Sequence, residues 1–462
     1  MWIELQNVWA KVTNATQHEL DWLFNFLTMP GRFRPGKSRT ITSVFNAYLS
    51  EFPSGLVPIV QEGARDAGVV VEVRDQRVNP LTMKPHPLSW LRDYQIDVVL
   101  ECLAAQQGIV DSPTGSGKTD IIVGLVTVLP TDWLILVPRV DLLQQTRDRF
   151  MERTGVKVGV WGDGMYDPQA VTVGVFDSIY HGLRVQDGRT EKRLQRFKGV
   201  IVDEVHCVAG QKTLLVMQKL PNAYYRIGFS GTPLMRSDEK GLLTIGATGG
   251  VFTKIETAAL IEGGWLAKPL IHAVSRPIET RETPFGSWAA AELSMIGSKN
   301  RIDFVTRQVS LADKPTLVFV RVIKHGEKIK AALLARGIKA DFVHGEETTA
   351  TRTKLKNALM AGELEALVAS VVFQVGVDMP ALRSVVWAAG GKAAIAGLQA
   401  LGRGMRRVEG KDTFDFYDIA DTMCPVCCAA GEPLHRACKW FEEHRKQRFK
   451  TYRKAGHEIS FT

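Results

Sequence analysis

The sequence predicts an α/β protein: two parallel-sheet halves in tandem, a small α+β segment before them and a helical tail after them. Three observations predict this. The chain has 462 residues, too many for one ordinary hydrophobic core, so two or three domains are expected. Short apolar runs alternate with amphipathic stretches twice over, from about residue 88 to 268 and again from 269 to 420. A glycine-rich run, Asp111-Ser112-Pro113-Thr114-Gly115-Ser116-Gly117-Lys118-Thr119, follows an apolar strand and precedes an apolar helix.

Residues 1–87 read as a small separate α+β domain. Trp2–Val12 suits a strand, Glu19–Leu27 a helix and Val69–Val73 another strand. The proline-rich stretch from Asn79 to Pro87 reads as a linker. In the first half, Val110, Trp133–Val137, Val171–Val175, Val200–Val202 and Ile227–Phe229 mark strands, with amphipathic stretches such as Asp141–Met151 between them. In the second half the strands are Thr316–Val320, Ala340–Val343, Leu367–Ala369, Val385–Ala388 and Phe414–Tyr417. A basic tail containing cysteines runs from about residue 421 to 462.

Composition narrows the class. The chain is 45% hydrophobic and 23% charged, as soluble globular proteins are. A net charge of +9 favours a polyanionic partner. No apolar run has the length of a membrane span, and the first residues lack a signal-peptide core, so no membrane partner is expected. Four of the six cysteines fall within 424–438, while Cys102 and Cys207 have apolar neighbours. That is no secreted disulfide framework, and a reducing cytoplasm is expected.

The chemistry begins at the glycine-rich run. Glycines let successive N–H groups turn inward around a phosphate, and a helix N-terminus adds partial positive charge. Pro113, Thr114, Gly115, Ser116 and Gly117 would form this cradle, Lys118 would reach the β and γ phosphates, and Thr119 would bind Mg²⁺. Ser112 replaces the usual first glycine, and a small residue suffices there. Nucleotide hydrolysis also needs acids near the cradle. Val200-Ile201-Val202-Asp203-Glu204 supplies two at the end of a buried strand, about 85 residues later. Asp203 would hold Mg²⁺, and Glu204 would orient and deprotonate the attacking water.

Together these residues resemble the superfamily 2 helicases of the DExH type, over roughly residues 88–420 and with the motifs in the family's order. The resemblance implies ATP and Mg²⁺ as cofactors and two RecA-like domains, 88–268 and 269–420. Leu91-Arg92-Asp93-Tyr94-Gln95 resembles the adenine-recognising segment, so Arg92 and Gln95 would bind the base. Arg139 and Gln145, with Ser178 and Ser370, are implied strand contacts. Asp203-Glu204-Val205-His206 is the acidic box, and Ser230-Gly231-Thr232-Pro233 resembles the motif coupling hydrolysis to domain motion. Gly376 and Asp378 resemble part of motif V. Gln399 to Arg406 resembles motif VI, in which Gln399 contacts nucleotide and Arg403 and Arg406 reach across a cleft to the γ-phosphate. Residues 232–238, 246–251, 260–269 and Asn300-Arg301 are similar to the branch related to the repair helicase XPB and the phage recombination helicase UvsW. That branch implies forked, branched or partly single-stranded DNA as partner and a protein that works as a monomer. A duplex translocase without net unwinding and an RNA helicase are the alternatives.

Accessory segments would choose the substrate. Arg32, Arg34, Lys37 and Arg39 with Phe33 would grip phosphates and stack on a base, or would form a solvated basic loop. The basic run from Arg436 to Lys454 either tracks duplex DNA or docks through Trp440, Phe441, Phe449 and Tyr452. Cys424, Cys427, His435 and Cys438 form two pairs with two-residue spacing and suit Zn²⁺, with free thiols the other reading and Cys428 an extra thiol.

Overall fold

Parallel strands need long crossovers, and crossovers made of helices cover both faces of the sheet. The two alternating stretches fold accordingly. The computed structural model describes residues 1–29, 42–80, 88–186, 188–206, 211–233, 241–279, 287–370, 379–391, 394–431 and 435–461. Two units result: residues 1–113 with 117–255, and residues 114–116 with 256–462.

The first unit opens with β1 (Trp2–Leu5) and β2 (Trp9–Thr13). The stretch expected as one strand is therefore an antiparallel hairpin, closed by the Gln6 amide donating to the Trp9 carbonyl at 2.9 Å. Helix α1 (Gln17–Phe26) starts at Thr16, whose hydroxyl accepts from the Glu19 amide while the Glu19 carboxylate accepts from the Thr16 amide. β3 (Thr28–Met29), β4 (Thr42–Ser43), β5 (Glu51–Pro53), α2 (Val57–Asp66) and β6 (Glu72–Asp75) follow. The last strand lies a few residues beyond the expected Val69–Val73. This sheet runs β5-β2-β1-β6.

The main sheet follows. Its elements are α3 (Asp93–Ala105), β7 (Gln107–Asp111), α4 (Lys118–Val128), β8 (Trp133–Val137), α5 (Val140–Thr154), β9 (Gly159–Gly162), β10 (Met165–Asp167) and β11 (Val171–Val175). Then come α6 (Phe176–Arg184), α7 (Arg189–Leu194), β12 (Gly199–Asp203), α8 (Gln211–Gln218), β13 (Tyr225–Ser230), α9 (Gly241–Thr248) and β14 (Val251–Lys254). The order is β10-β9-β11-β8-β12-β13-β7-β14, parallel except for the β9–β10 pair. Every residue of β8 and β11 is buried, as strands covered on both faces must be.

The N-terminal segment, with its own sheet, packs on α9. Leu242 and Ile245 of α9 pack on its core of Ile3, Leu23, Phe52 and Val60. Gly55 comes so close to α9 that a Cβ would lie 2.2 Å from the Ile245 carbonyl. Arg226 on β13 steadies the same helix. Its guanidinium is buried and donates to the carbonyls of Met217 at 2.9 Å, Ala247 at 3.0 Å and Leu220 at 3.4 Å. One cation thus serves carbonyls at the C-terminal ends of α8 and α9, although burial draws its pKa down to about 10.

The second unit contains α10 (Thr257–Glu262), β15 (Lys268–Pro277), α11 (Trp288–Gly297), α12 (Lys299–Leu311), β16 (Thr316–Val320), α13 (Ile323–Leu334), β17 (Ala340–Val343) and α14 (Thr349–Met360). β18 (Ala366–Ser370), β19 (Ser384–Trp387), α15 (Ala394–Gly404), β20 (Thr413–Thr422), α16 (Pro425–Ala430), α17 (Arg436–Lys454) and β21 (Ile459–Phe461) complete it. The sheet is parallel in the order β17-β18-β16-β19-β20-β15-β21. The residues after 421 are therefore an integral layer, with β21 extending the sheet beside β15.

Two buried ion pairs clamp β20. Arg448 of α17 donates through Nη2 to Asp418 Oδ1 at 2.7 Å and through Nε to Oδ2 at 3.0 Å, and the Tyr452 hydroxyl donates to Oδ2 at 2.9 Å. Arg301 of α12 meets Asp421 through Nε and Nη2, both at 3.2 Å, and also donates to the Ala388 carbonyl. Positions 418 and 421 point to opposite faces of the strand. Next to Arg301, burial and the neighbouring cation push His325 down to about 2, so it stays neutral. α17 also backs α15: a Cβ on Gly397 would lie 2.5 Å from the Tyr452 hydroxyl. Among the described residues no helix is long and apolar enough to cross a membrane.

Replacing Arg448 by Met leaves the Asp418 carboxylate buried without its cation. Such a change costs about 3–5 kcal/mol. Chemical denaturation of the Arg448→Met variant should show that loss, whereas Lys450→Met on the exposed face of the same helix should stay within about 0.5 kcal/mol of the parent.

Candidate functional site

Open parallel sheets can present polar groups only at strand ends, since both faces are covered. Here β12, β13 and β7 are neighbours and end at Asp203, Ser230 and Asp111. The Ser112 amide donates to the Ser230 carbonyl at 2.8 Å. The Ser230 hydroxyl accepts from the Thr232 amide at 3.1 Å and lies 3.0 Å from His206 Nδ1. The same Nδ1 is 3.4 Å from Glu204 Oε2. The Glu204 amide donates to Asp203 Oδ1 at 3.0 Å, and Lys118 Nζ donates to Glu204 Oε1 at 3.2 Å. Glu204 has φ +54, a left-handed conformation that costs a non-glycine residue roughly 1–3 kcal/mol and turns the chain sharply off β12.

The cradle depends on backbone that only glycine adopts without strain. Gly115 has φ +89 and Gly117 has φ +79. Gly117 is the N-cap of α4 and no side chain caps that helix, which leaves its N-terminus suited to an anion. Gln95 of α3 is buried beside it. Its Oε1 accepts from the Arg92 amide at 3.0 Å, and a Cβ on Gly117 would lie 2.3 Å from its Nε2. Gln95, expected to read the base, therefore lies against Gly117 of the glycine-rich run. Thr119 in the first turn of α4 and Asp203 at the end of β12 carry the hard oxygen donors that Mg²⁺ takes.

Other expected positions are distributed along the same edge. Arg139 is the N-cap of α5 after β8, Gln145 is exposed on α5, and Ser178 is in the first turn of α6 after β11. The strand order β11-β8-β12-β13-β7 puts these positions on one side of the acids and the cradle on the other. In the second unit, Ser370 is buried at the end of β18, and Gln399 and Arg403 lie on α15. Arg406 follows α15, where it bridges to Leu266 while the Ala267 amide donates to the Met405 carbonyl at 2.7 Å. Gly376, Asp378, Arg32, Phe33, Arg34, Lys37 and Arg39 lie outside the described residues.

Two families match this framework. The type III restriction enzyme res subunit family matches residues 89–235, and the helicase conserved C-terminal domain matches residues 300–408. The first match contains the cradle and both acids, and the second contains Gln399, Arg403 and Arg406. The chain belongs to helicase superfamily 2. Its two main sheets are the tandem RecA-like domains of that superfamily. Among curated relatives, a Haloarcula marismortui protein carrying the DNA 3'-5' helicase name Rad25 is 30% identical over 68% of this chain and 50% of its own length. The ATP-dependent DNA helicase uvsW of Enterobacteria phage T4 is 26% identical over 71% of this chain and 68% of its own length. The chain thus spans about half the length of the Haloarcula relative. Among solved structures, the ATP-dependent type ISP restriction-modification enzyme LlaBIII bound to DNA shares the fold, with a TM-score of 0.57 at 18% identity over 80% of this chain and 30% of that one.

This superfamily 2 chain also brings together a set of soft ligands. The donor atoms of Cys424, Cys427, His435 and Cys438 all lie within 4.8 Å of one another. His435 Nδ1 is 3.3 Å from Cys424 Sγ and 3.2 Å from Cys427 Sγ. Burial would raise the Cys424 thiol, but hydrogen bonds from Cys427 and His435 outweigh it and bring it down to about 7. Burial pushes Cys438 up to about 12.

Sequence reasoning missed Asp120, which receives Arg149 at 3.1 Å and Arg153 at 3.0 Å and so ties α5 to the start of α4. Two arginines at four-residue spacing on one helix were the available signal. The contact of Gln95 with Gly117 had no local signal.

Gly117→Ala should weaken nucleotide binding by at least about tenfold through backbone strain and the clash with Gln95. Titration with a fluorescent ATP analogue measures this, and an unchanged circular dichroism spectrum separates it from unfolding.

Proposed function

We propose that the chain is an ATP-dependent DNA helicase that translocates on branched DNA and remodels or unwinds it at forks and four-way junctions. It would serve replication, recombination or repair and work as a monomer in the cytoplasm. The observation that carries the ATP-driven part is the joining of cradle and acids through Ser230: the Ser112–Ser230–His206–Glu204 chain of contacts at 2.8, 3.0 and 3.4 Å.

The residues divide the work as follows. Lys118 and Glu204 neutralise each other at 3.2 Å. A triphosphate in the cradle competes for Lys118 and releases Glu204 to orient water and take its proton. His206 holds the other Glu204 oxygen, so movement of that carboxylate is passed to Ser230 and the motif that begins there. Thr119 and Asp203 would hold Mg²⁺, which would supply charge neutralisation at the phosphates. Arg403 and Arg406 are proposed to stabilise charge on the γ-phosphate during turnover, a role suited to permanently charged, forked donors.

DNA as the substrate rests on the relatives named as DNA helicases and on the net charge of +9. A second reading, translocation on duplex without net unwinding, is favoured by the restriction-subunit family that matches residues 89–235.

Lys118→Ala should reduce DNA-stimulated ATP turnover to background. Glu204→Gln should keep nucleotide binding and lose about 10²–10⁴-fold in kcat. Unchanged turnover in Lys118→Ala would sink the site assignment. An unwinding panel of forks, tailed duplexes, four-way junctions and RNA–DNA hybrids tests the substrate. Preference for forks and junctions is expected, equal activity on plain tailed duplexes would remove the branched-DNA reading, and triplex displacement without unwinding would establish the second one.

A further inference from the structure

We propose that Cys424, Cys427, His435 and Cys438 bind one structural Zn²⁺ that fixes the start of α17 to the end of β20. This goes beyond the motor reading and does not depend on it.

Three thiolates and one imidazole are a donor set for a soft, tetrahedral ion and not for Mg²⁺ or Ca²⁺. With bonds of about 2.3 Å, a tetrahedral ion holds its sulfur ligands about 3.8 Å apart. The four donor atoms here, all within 4.8 Å of one another, already approach that spacing. Two backbone amides point at the sulfurs: His435 N donates to Cys427 Sγ at 3.4 Å and Cys424 N to Cys438 Sγ at 3.5 Å. Such donors offset the excess negative charge of a three-thiolate site. Ile278, Ala291, Met295, Ile296 and Phe441 bury the three cysteines and keep water out. The structure also resolves which thiol is the extra one. Cys428 is exposed, and its thiol donates to the Met423 carbonyl at 3.3 Å.

The position gives the ion its role. Cys424 lies two residues beyond the end of β20, and Cys438 lies in the first turn of α17. The far end of α17 is held by the Asp418 pair with Arg448 and by Tyr452, and Tyr452 abuts Gly397 of α15. Zinc at one end and the ion pair at the other would therefore fix both ends of α17, whose Tyr452 backs the helix that carries Gln399 and Arg403.

Elemental analysis of the full chain, purified under reducing conditions without chelator, should find about one zinc per chain. Cys427→Ser should lose it and Cys428→Ser should keep it. Because Cys427→Ser could simply fail to fold, Co²⁺ substitution of the parent gives a second reading. It should produce the intense visible bands of tetrahedral thiolate-bound cobalt, unchanged in Cys428→Ser. Chelation should lower the thermal midpoint of the parent by several degrees. A folded chain that carries no zinc and takes up no Co²⁺ would overturn the proposal, as would zinc lost with Cys428.

Discussion

The carboxyl ends of β7, β12 and β13 are held together through Ser230, and the placement of the first unit's candidate site residues depends on that union. Its carbonyl takes the amide that opens the cradle, while its hydroxyl meets the histidine of the acidic box. A parallel sheet offers no other place for this. Its faces are covered, and its polar groups must gather where strands stop. The strand order β12-β13-β7 makes Ser230 the central member, so the strand ends that lead to Ser112 and to the acids are tied through it. Gln95 extends the union to α3 by resting on Gly117.

The second unit is organised differently. Its buried polar groups include two arginine–carboxylate pairs, Arg448 with Asp418 and Arg301 with Asp421. Removing either partner strands a charge, so each pair specifies one arrangement more than it adds net stability. That specificity reaches α15 through α17. The residues after 421 are then best understood as the backing of the arginine-bearing helix. Their aromatic residues Phe441, Phe449 and Tyr452 turn inward, while most of the basic ones face solvent.

Much of this was legible in the sequence where the signal is local. The cradle needs glycines at fixed positions because of backbone φ. The acids need a buried strand before them. The soft-ligand set needs two short cysteine and histidine spacings. These constraints act within a few residues, and the structure keeps Lys118 beside Glu204 and the four ligands together. What could not be read depends on contacts between distant residues. Arg226 looks like a misplaced charge in an apolar strand until two helix ends are seen to converge on it. Arg301 and Asp421 are 120 residues apart. The N-terminal segment reads as separate because the proline-rich stretch after it resembles a linker; it has its own four-stranded sheet, and its packing on α9 at Gly55 had no local signal. The hairpin of β1 and β2 was read as one strand because its apolar residues alternate across the turn.

The two carboxylates of β20 have a consequence for how the strand finds its place. β20 is long and pairs with β15 over ten positions, from Thr413 to Thr422. Apolar residues alone would tolerate sliding along such a partner. Side chains alternate between faces, so a shift by one residue would turn Asp418 toward α12 and Asp421 toward α17. A shift by two would keep the faces but carry each carboxylate about 7 Å from its guanidinium. Either error buries unpaired charge. The two pairs therefore penalise misaligned arrangements of β20, and Asp415, 2.7 Å from His272 of β15, adds a third polar contact that depends on the same register.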